Sequence, residues 1–219
     1  MLARRLETCG LGSKIKYVPY ETAYTSSATW TVPYTQWYEI HVVGAGGTGG
    51  AGNTGNYGAG YRTKAGGGGG GGGSGGHTAG RYLLAAGMQI PLTIDTATTF
   101  GDTENAFYMS VAKGDNGGDG EYSPEDDFTV GAGGTAGAKG RVVNAGNLTV
   151  GNTGNAGKAG SEGQVGASES ITSPGGAGGA SPYKGYGAGG AGGDGTKSKR
   201  NAGKAGATGA VTITAYQQE

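Results

Sequence analysis

The sequence predicts an all-β, mostly irregular domain with essentially no α-helix, in which stacked polyglycine-II helices are flanked by short β-strands. Three observations carry that expectation. Glycine supplies 54 of the 219 residues. It keeps a three-residue phase over Gly46, Gly49, Gly52, Gly55 and Gly58, over Gly131, Gly134, Gly137 and Gly140, and over Gly151, Gly154, Gly157, Gly160, Gly163 and Gly166. Three residues per turn is the repeat of an extended polyproline-II-type helix, which forms no hydrogen bonds within itself. Glycine at each third position leaves one face of such a helix bare, so a second backbone can lie against it. Between the tracts stand short apolar segments rich in β-branched and aromatic residues, the composition of strands.

Residues 1–28 hold few glycines, several charges and Tyr17, Tyr20 and Tyr24, and read as an N-terminal attachment arm. Residues 29–219 read as one glycine-rich domain. Within it, 29–43, TWTVPYTQWYEIHVV, gives the best strand signal, and its part 36–43 is rich in aromatic and β-branched residues and alternates in its first half. Segments 88–94, 107–111, 128–130, 141–150 and 211–216 are the further strand candidates. Pro91 demotes the first of these to an edge or a strand end.

The non-glycine slots rank the rods. After the glycines of 151–166 come Asn152, Asn155, Lys158, Ser161 and Gln164, all polar, which suits the outside of a bundle. Tract 187–195 has glycine in two of three phases and suits a more enclosed place. The run 66–73 carries no side chains and could sit at the centre. Charged and aromatic residues cluster where the phase breaks, at 57–64, 119–127, 168–173, 181–186 and 194–201, and these read as loops at the ends of rods.

Several motifs are excluded by context. Gly44-Ala-Gly46-Gly-Thr-Gly49 follows a strand as a dinucleotide fingerprint does, but that site needs a helix next. Here more glycines follow, each costing a helix about 1 kcal/mol relative to alanine. Gly157-Lys158 and Gly203-Lys204 lack the Ser or Thr of a P-loop. The acids of 115–126 follow a calcium loop only loosely and read as a solvated acidic loop. His41 and His77 have no nucleophile beside them in sequence and read as structural or surface residues. Cys9 stands alone, so no intrachain disulfide forms. Zero formal net charge removes a general electrostatic case for nucleic acid, and no apolar run is long enough to span a bilayer. No cofactor or metal is expected.

What remains are aromatic and charged loop residues: Tyr57, Tyr61, Arg62, Glu121, Tyr122, Tyr183, Lys184, Tyr186, Lys197 and Arg200. Aromatic rings beside hydrogen-bonding or charged neighbours suit stacking on sugars or anchoring a protein surface.

The string Thr29-Trp-Thr-Val-Pro33, the strand ending His41-Val-Val43, and the run from Gly44 resemble the opening of glycine-rich domains in bacteriophage tail fibres. Thr98-Thr-Phe-Gly-Asp102 is similar to a recurring segment of those domains, and 203–216 to their closing glycine tract and strand. The resemblance covers roughly 29–216. It implies a non-enzymatic virion protein, made in the host cytoplasm without a signal peptide. In the T-even-type tip adhesins, polyglycine-II helices stack and the loops between them contact an outer-membrane protein or polysaccharide. By that resemblance the loop residues above form the receptor-binding surface, and residues 1–28 hold other virion proteins. The alternative is a structural head-fibre or capsid decoration protein without receptor contact.

Overall fold

The computed structural model describes residues 17–58, 62–125, 129–151, 153–166 and 170–218. They contain no helix and form antiparallel sheets, so the chain is all-β. Two larger sheets make a sandwich, and eight glycine tracts extend from one end of it.

The first sheet has the order β1–β14–β3–β6, from strands Tyr17–Tyr24, Ala210–Gln218, Gln36–Val43 and His77–Leu84. The second has the order β10–β9–β8–β7–β2, from Val142–Asn144, Met109–Ala112, Ala97–Phe100, Gln89–Ile94 and Ala28–Thr31. Alternation decides which side chains enter: Tyr38, Ile40 and Val42 of β3 meet Val211 and Ile213 of β14 in the core, while Trp37, Glu39 and His41 face outward. From the opposite sheet come Ile90, Leu92, Phe100, Met109 and Val111. Trp30 meets Tyr38 edge-on at 5.1 Å, and the Tyr38 hydroxyl donates to the Tyr34 carbonyl, satisfying its polar end.

Strands β3 and β14 follow the expected 36–43 and 211–216 closely, and β7, β9 and β10 fall within or beside 88–94, 107–111 and 141–150. Of the expected strand 128–130, Phe128 lies outside the described residues, and Thr129 and Val130 are not in a strand. Of the segment 1–28 read as an arm, residues 1–16 lie outside the described residues. Its second half is woven into the domain: β1 pairs with β14 from Tyr17↔Gln218 to Tyr24↔Val211.

Beyond the sandwich the hydrogen bonds define the tracts, at 44–55, 65–76, 113–123, 130–141, 154–164, 174–180, 187–195 and 201–209. Five continue sandwich strands directly: the first leaves β3, the second enters β6, the third leaves β9, the fourth enters β10 and the eighth enters β14. The second tract is wholly buried. Its amides donate in rotation to three neighbours. Gly67, Gly70 and Gly73 bond the third tract, Gly68, Gly71 and Ser74 the fifth, and Gly69, Gly72 and Gly75 the seventh. Its carbonyls accept from three others, for example Gly70 from Gly50, Gly71 from Gly137 and Gly72 from Gly179.

Bonds between those six neighbours close a ring around the second tract, in the order first, third, fourth, fifth, sixth, seventh. The eighth lies in the groove between the first and seventh, where Gly49 donates to the Lys204 carbonyl and Lys204 to that of Ala191. The expected ranking of rods holds: 66–73 is central, 187–195 touches four tracts, and the fifth tract is peripheral with Asn155, Lys158 and Ser161 exposed. The reason is steric. A Cβ on Gly70 would overlap the Thr135 carbonyl, and one on Gly71 that of Ala177. The phase runs beyond the packed rod at one end, since a Cβ on Gly151 would meet nothing.

Candidate functional site

Successive tracts run in alternate directions, so their connections fall at two ends. Residues 56–58 and 62–64, 124–125 and 129, 165–166 and 170–173, and 196–200 gather at the end remote from the sandwich. Residues 145–151, 153 and 181–186 lie at the junction with it.

At the remote end, β4 (Tyr57–Gly58) and β5 (Arg62–Lys64) form a hairpin that β11 (Val165–Gly166) joins, while β12 (Thr172–Ser173) pairs with β13 (Gly195–Thr196). Lys64 is buried at 1% exposure, and its Nζ donates to the carbonyls of Pro124 and Thr129, 3.1 and 3.2 Å away. It fastens one loop to the next. Ser123 does the same nearby: its hydroxyl donates to the Ala65 carbonyl and accepts from the Gly131 amide. Neither role is visible in a linear motif, because both join residues that only the ring of tracts makes adjacent.

On this floor stand the exposed groups. Tyr122 is 46% exposed, and its hydroxyl accepts from Asn56 Nδ2 at 3.1 Å. The exposed Glu121 receives the Ala132 amide at its carboxylate. A Thr196 hydroxyl bridge to the Lys199 amide and carbonyl folds 196–199 into a tight turn, with Lys197 half-buried and Lys199 and Arg200 exposed. Arg200 pairs with Asp119 at 2.5 Å, and Asp119 also accepts the Ala51 amide. Tyr57 and Arg62 sit by backbone on β4 and β5, and Tyr61 lies outside the described residues.

Six of the ten expected residues, Tyr57, Arg62, Glu121, Tyr122, Lys197 and Arg200, thus lie at the remote end. Tyr183, Lys184 and Tyr186 do not join them. Their loop turns at Lys184 and Gly185, with φ of 45° and 87°, the left-handed pair a tight hairpin turn requires. It folds back on the outer face of the first sheet. The Tyr183 ring stacks on His41 at 4.2 Å between centroids, and Lys184 Nζ pairs with Glu21 at 2.5 Å. That hydrogen bond to Glu21 is the main cause holding the Lys184 ammonium above its ordinary pKa. Beneath Tyr183, His41 Nδ1 lies 3.1 Å from His77 Nε2, and His41 Nε2 lies 3.1 Å from Glu39. The two histidines therefore close a joint between sheet and loop.

The tempting motifs are used internally. The Gly44, Gly46, Gly47 and Gly49 amides, which a dinucleotide site would turn to a pyrophosphate, donate to carbonyls of the second and eighth tracts and the Gly76 end. In the acidic stretch, Asn116 and Asp119 stand along the extended third tract and accept the Thr48 and Ala51 amides. Among the described residues no three metal-ligating side chains converge, and no helix is long and apolar enough to cross a membrane. No protein-family model matches the chain, and no curated protein is similar to it.

Proposed function

We propose that this chain is a non-enzymatic bacteriophage virion protein whose eight tracts stack as polyglycine-II helices, and whose remote loops bind a protein or polysaccharide of the host surface. The hydrogen bonds that recur every three residues support the helical reading, since an extended three-fold helix presents its amides outward in three directions. One observation carries the functional reading. The described residues of four segments that interrupt the glycine phase, the first and last separated by 131 residues of chain, come together at one end of the bundle. Loops concentrated on a stiff scaffold are where binding residues commonly lie.

In this reading Tyr122, Lys199 and Arg200 supply an aromatic face and cationic donors, while Lys64 and Ser123 hold the floor beneath them. Tyr183, Lys184 and Tyr186 are joint residues and leave the receptor surface. The test is adsorption: purified protein is expected to bind host cells and to block infection in competition. Binding that survives Tyr122→Ala with Arg200→Ala unchanged would remove the remote end as the contact surface. Failure of both adsorption and competition would leave the head-fibre or decoration role.

A further inference from the structure

The outer face of the first sheet holds a cleft that the adsorption reading does not use. It lies at the end of β3 away from the tracts, beyond the part of the sheet that the 181–186 loop covers. Gln36 and Trp37 of β3, Arg81 of β6 and Tyr216 of β14 line it. Its volume is about 440 Å³, within the roughly 300–1,000 Å³ of small-molecule sites. Trp37 is 52% exposed and Tyr216 40%, so both aromatic walls are open to solvent.

Arg81 is held in place there without a carboxylate. Strand β6 is a sheet edge, and the Asn147 side chain stands where a further strand would. The Arg81 amide donates to Asn147 Oδ1 at 2.7 Å, and Asn147 Nδ2 donates to the Arg81 carbonyl at 2.9 Å. With β3 on its other side, the backbone at Arg81 is fixed from both directions. The guanidinium sits 5.9 Å from the Trp37 ring centre. Its cross-strand neighbour is Glu39, whose Oε1 lies 3.1 Å from His41 Nε2 instead. Among the described residues no carboxylate forms an ion pair with Arg81. Gln36 also lines a second cleft, of about 290 Å³, with Tyr20, Trp30 and Tyr34. The two clefts are therefore neighbours across one amide side chain.

We infer that these clefts bind an acidic oligosaccharide, with one uronic-acid-type ring stacked on Trp37 and its carboxylate on Arg81. The inference needs none of the remote loops and does not rest on the receptor reading. A pyranose presents a face of C–H groups edged by hydroxyls, so it calls for an aromatic wall with a few polar side chains around it. Trp37 and Tyr216 supply the wall, and the Gln36 amide both donates and accepts. An unpaired guanidinium is the fork that a carboxylate meets with two parallel hydrogen bonds. A stable protein contact needs about 800 Å² on each side around a continuous apolar centre. Here the sheet turns polar directly behind Trp37 and Tyr216, at Glu39, Thr214 and Glu21. Two small aromatic clefts divided by an amide suit successive sugar rings.

The experiment titrates the whole chain, by isothermal calorimetry, with the trisaccharides of α-1,4-galacturonate and β-1,4-mannuronate. The methyl ester of each keeps the rings and removes the charge. Wild type is expected to bind at least one acid with Kd below about 1 mM, and its ester at least about tenfold more weakly. Trp37→Ala is expected to abolish binding of acid and ester alike. Arg81→Gln is expected to lower the acid to the affinity of the ester and leave the ester unchanged. Tyr122→Ala/Arg200→Ala is expected to bind as wild type does, and circular dichroism checks the fold of each variant. Absence of binding to both acids up to about 10 mM overturns the inference. So does an ester bound as tightly as its acid, or an acid preference that survives Arg81→Gln. Light scattering that shows a wild-type dimer split by Trp37→Ala also overturns it, because a second copy then fills the clefts. Protein that binds the uronate but fails to adsorb to cells upholds this inference and removes only the receptor reading.

Discussion

At the scale of single residues, the groups that matter are those that fasten one segment to another. Lys64 is buried with its ammonium on two carbonyls of the 124–129 segment. Lys64→Met keeps most of the stem's volume and removes the donor. Leaving buried acceptors unpaired is expected to cost about 1–3 kcal/mol in denaturant unfolding and to speed amide exchange at 129–131. Lys184 gives a pH-dependent counterpart. Its folded pKa is raised, so its contribution is complete below the ordinary lysine value near 10.5 and is lost as pH rises through the folded value. The side chain is half exposed and solvent screens the pair, so the contribution is at most about 1 kcal/mol. The stability difference between wild type and Glu21→Gln, measured by urea unfolding, is expected to shrink between pH 9 and pH 12. A difference that grows over that range would contradict the assignment.

At the scale of elements, the tracts were the most legible part of the sequence and the sheet edges the least. The phase of Gly157 and Gly160 is set by backbone contact: a Cβ on Gly157 would overlap the Gly71 carbonyl, and one on Gly160 that of Gly68. Gly157→Val is therefore expected to abolish soluble folded protein. Lys158→Val, on the exposed slot one residue on, is expected to change stability by no more than about 0.5 kcal/mol by thermal unfolding. Equal tolerance at both sites would mean the phase is not structural.

Strand β6 escaped sequence reading because HTAGRYLL is interrupted by Gly80 and has its first four residues all buried, which hides the two-residue alternation. Strand β1 contains Pro19, and its place at the sheet edge is what tolerates it. Which loops share an end could not be read at all. That depends on how many times the chain reverses, and the sixth tract, 174–180, is one such reversal whose phase, Gly175/Gly178 and Gly176/Gly179, lasts only two repeats.

At the scale of the molecule, six tracts around one give the bundle a centre whose amides have no route to water except through their neighbours. Hydrogen exchange is expected to be slowest across Gly66–Gly76 and in β3 and β14, at rates set by global unfolding. It should be fast in the eighth tract, which rests on only two others. Exchange that is uniform across the eight tracts would contradict the ring.

The alternation of tract directions has a mechanical consequence. A load applied between the remote loops and the sandwich runs along the tracts, while the bonds between tracts lie across them. Separating any two tracts then requires sliding one past the other and rupturing a whole row of bonds together, as with Gly67, Gly70 and Gly73 against the third tract. A pull from the side would break the same bonds one after another. The bundle is thus a tether that is strongest along its own axis.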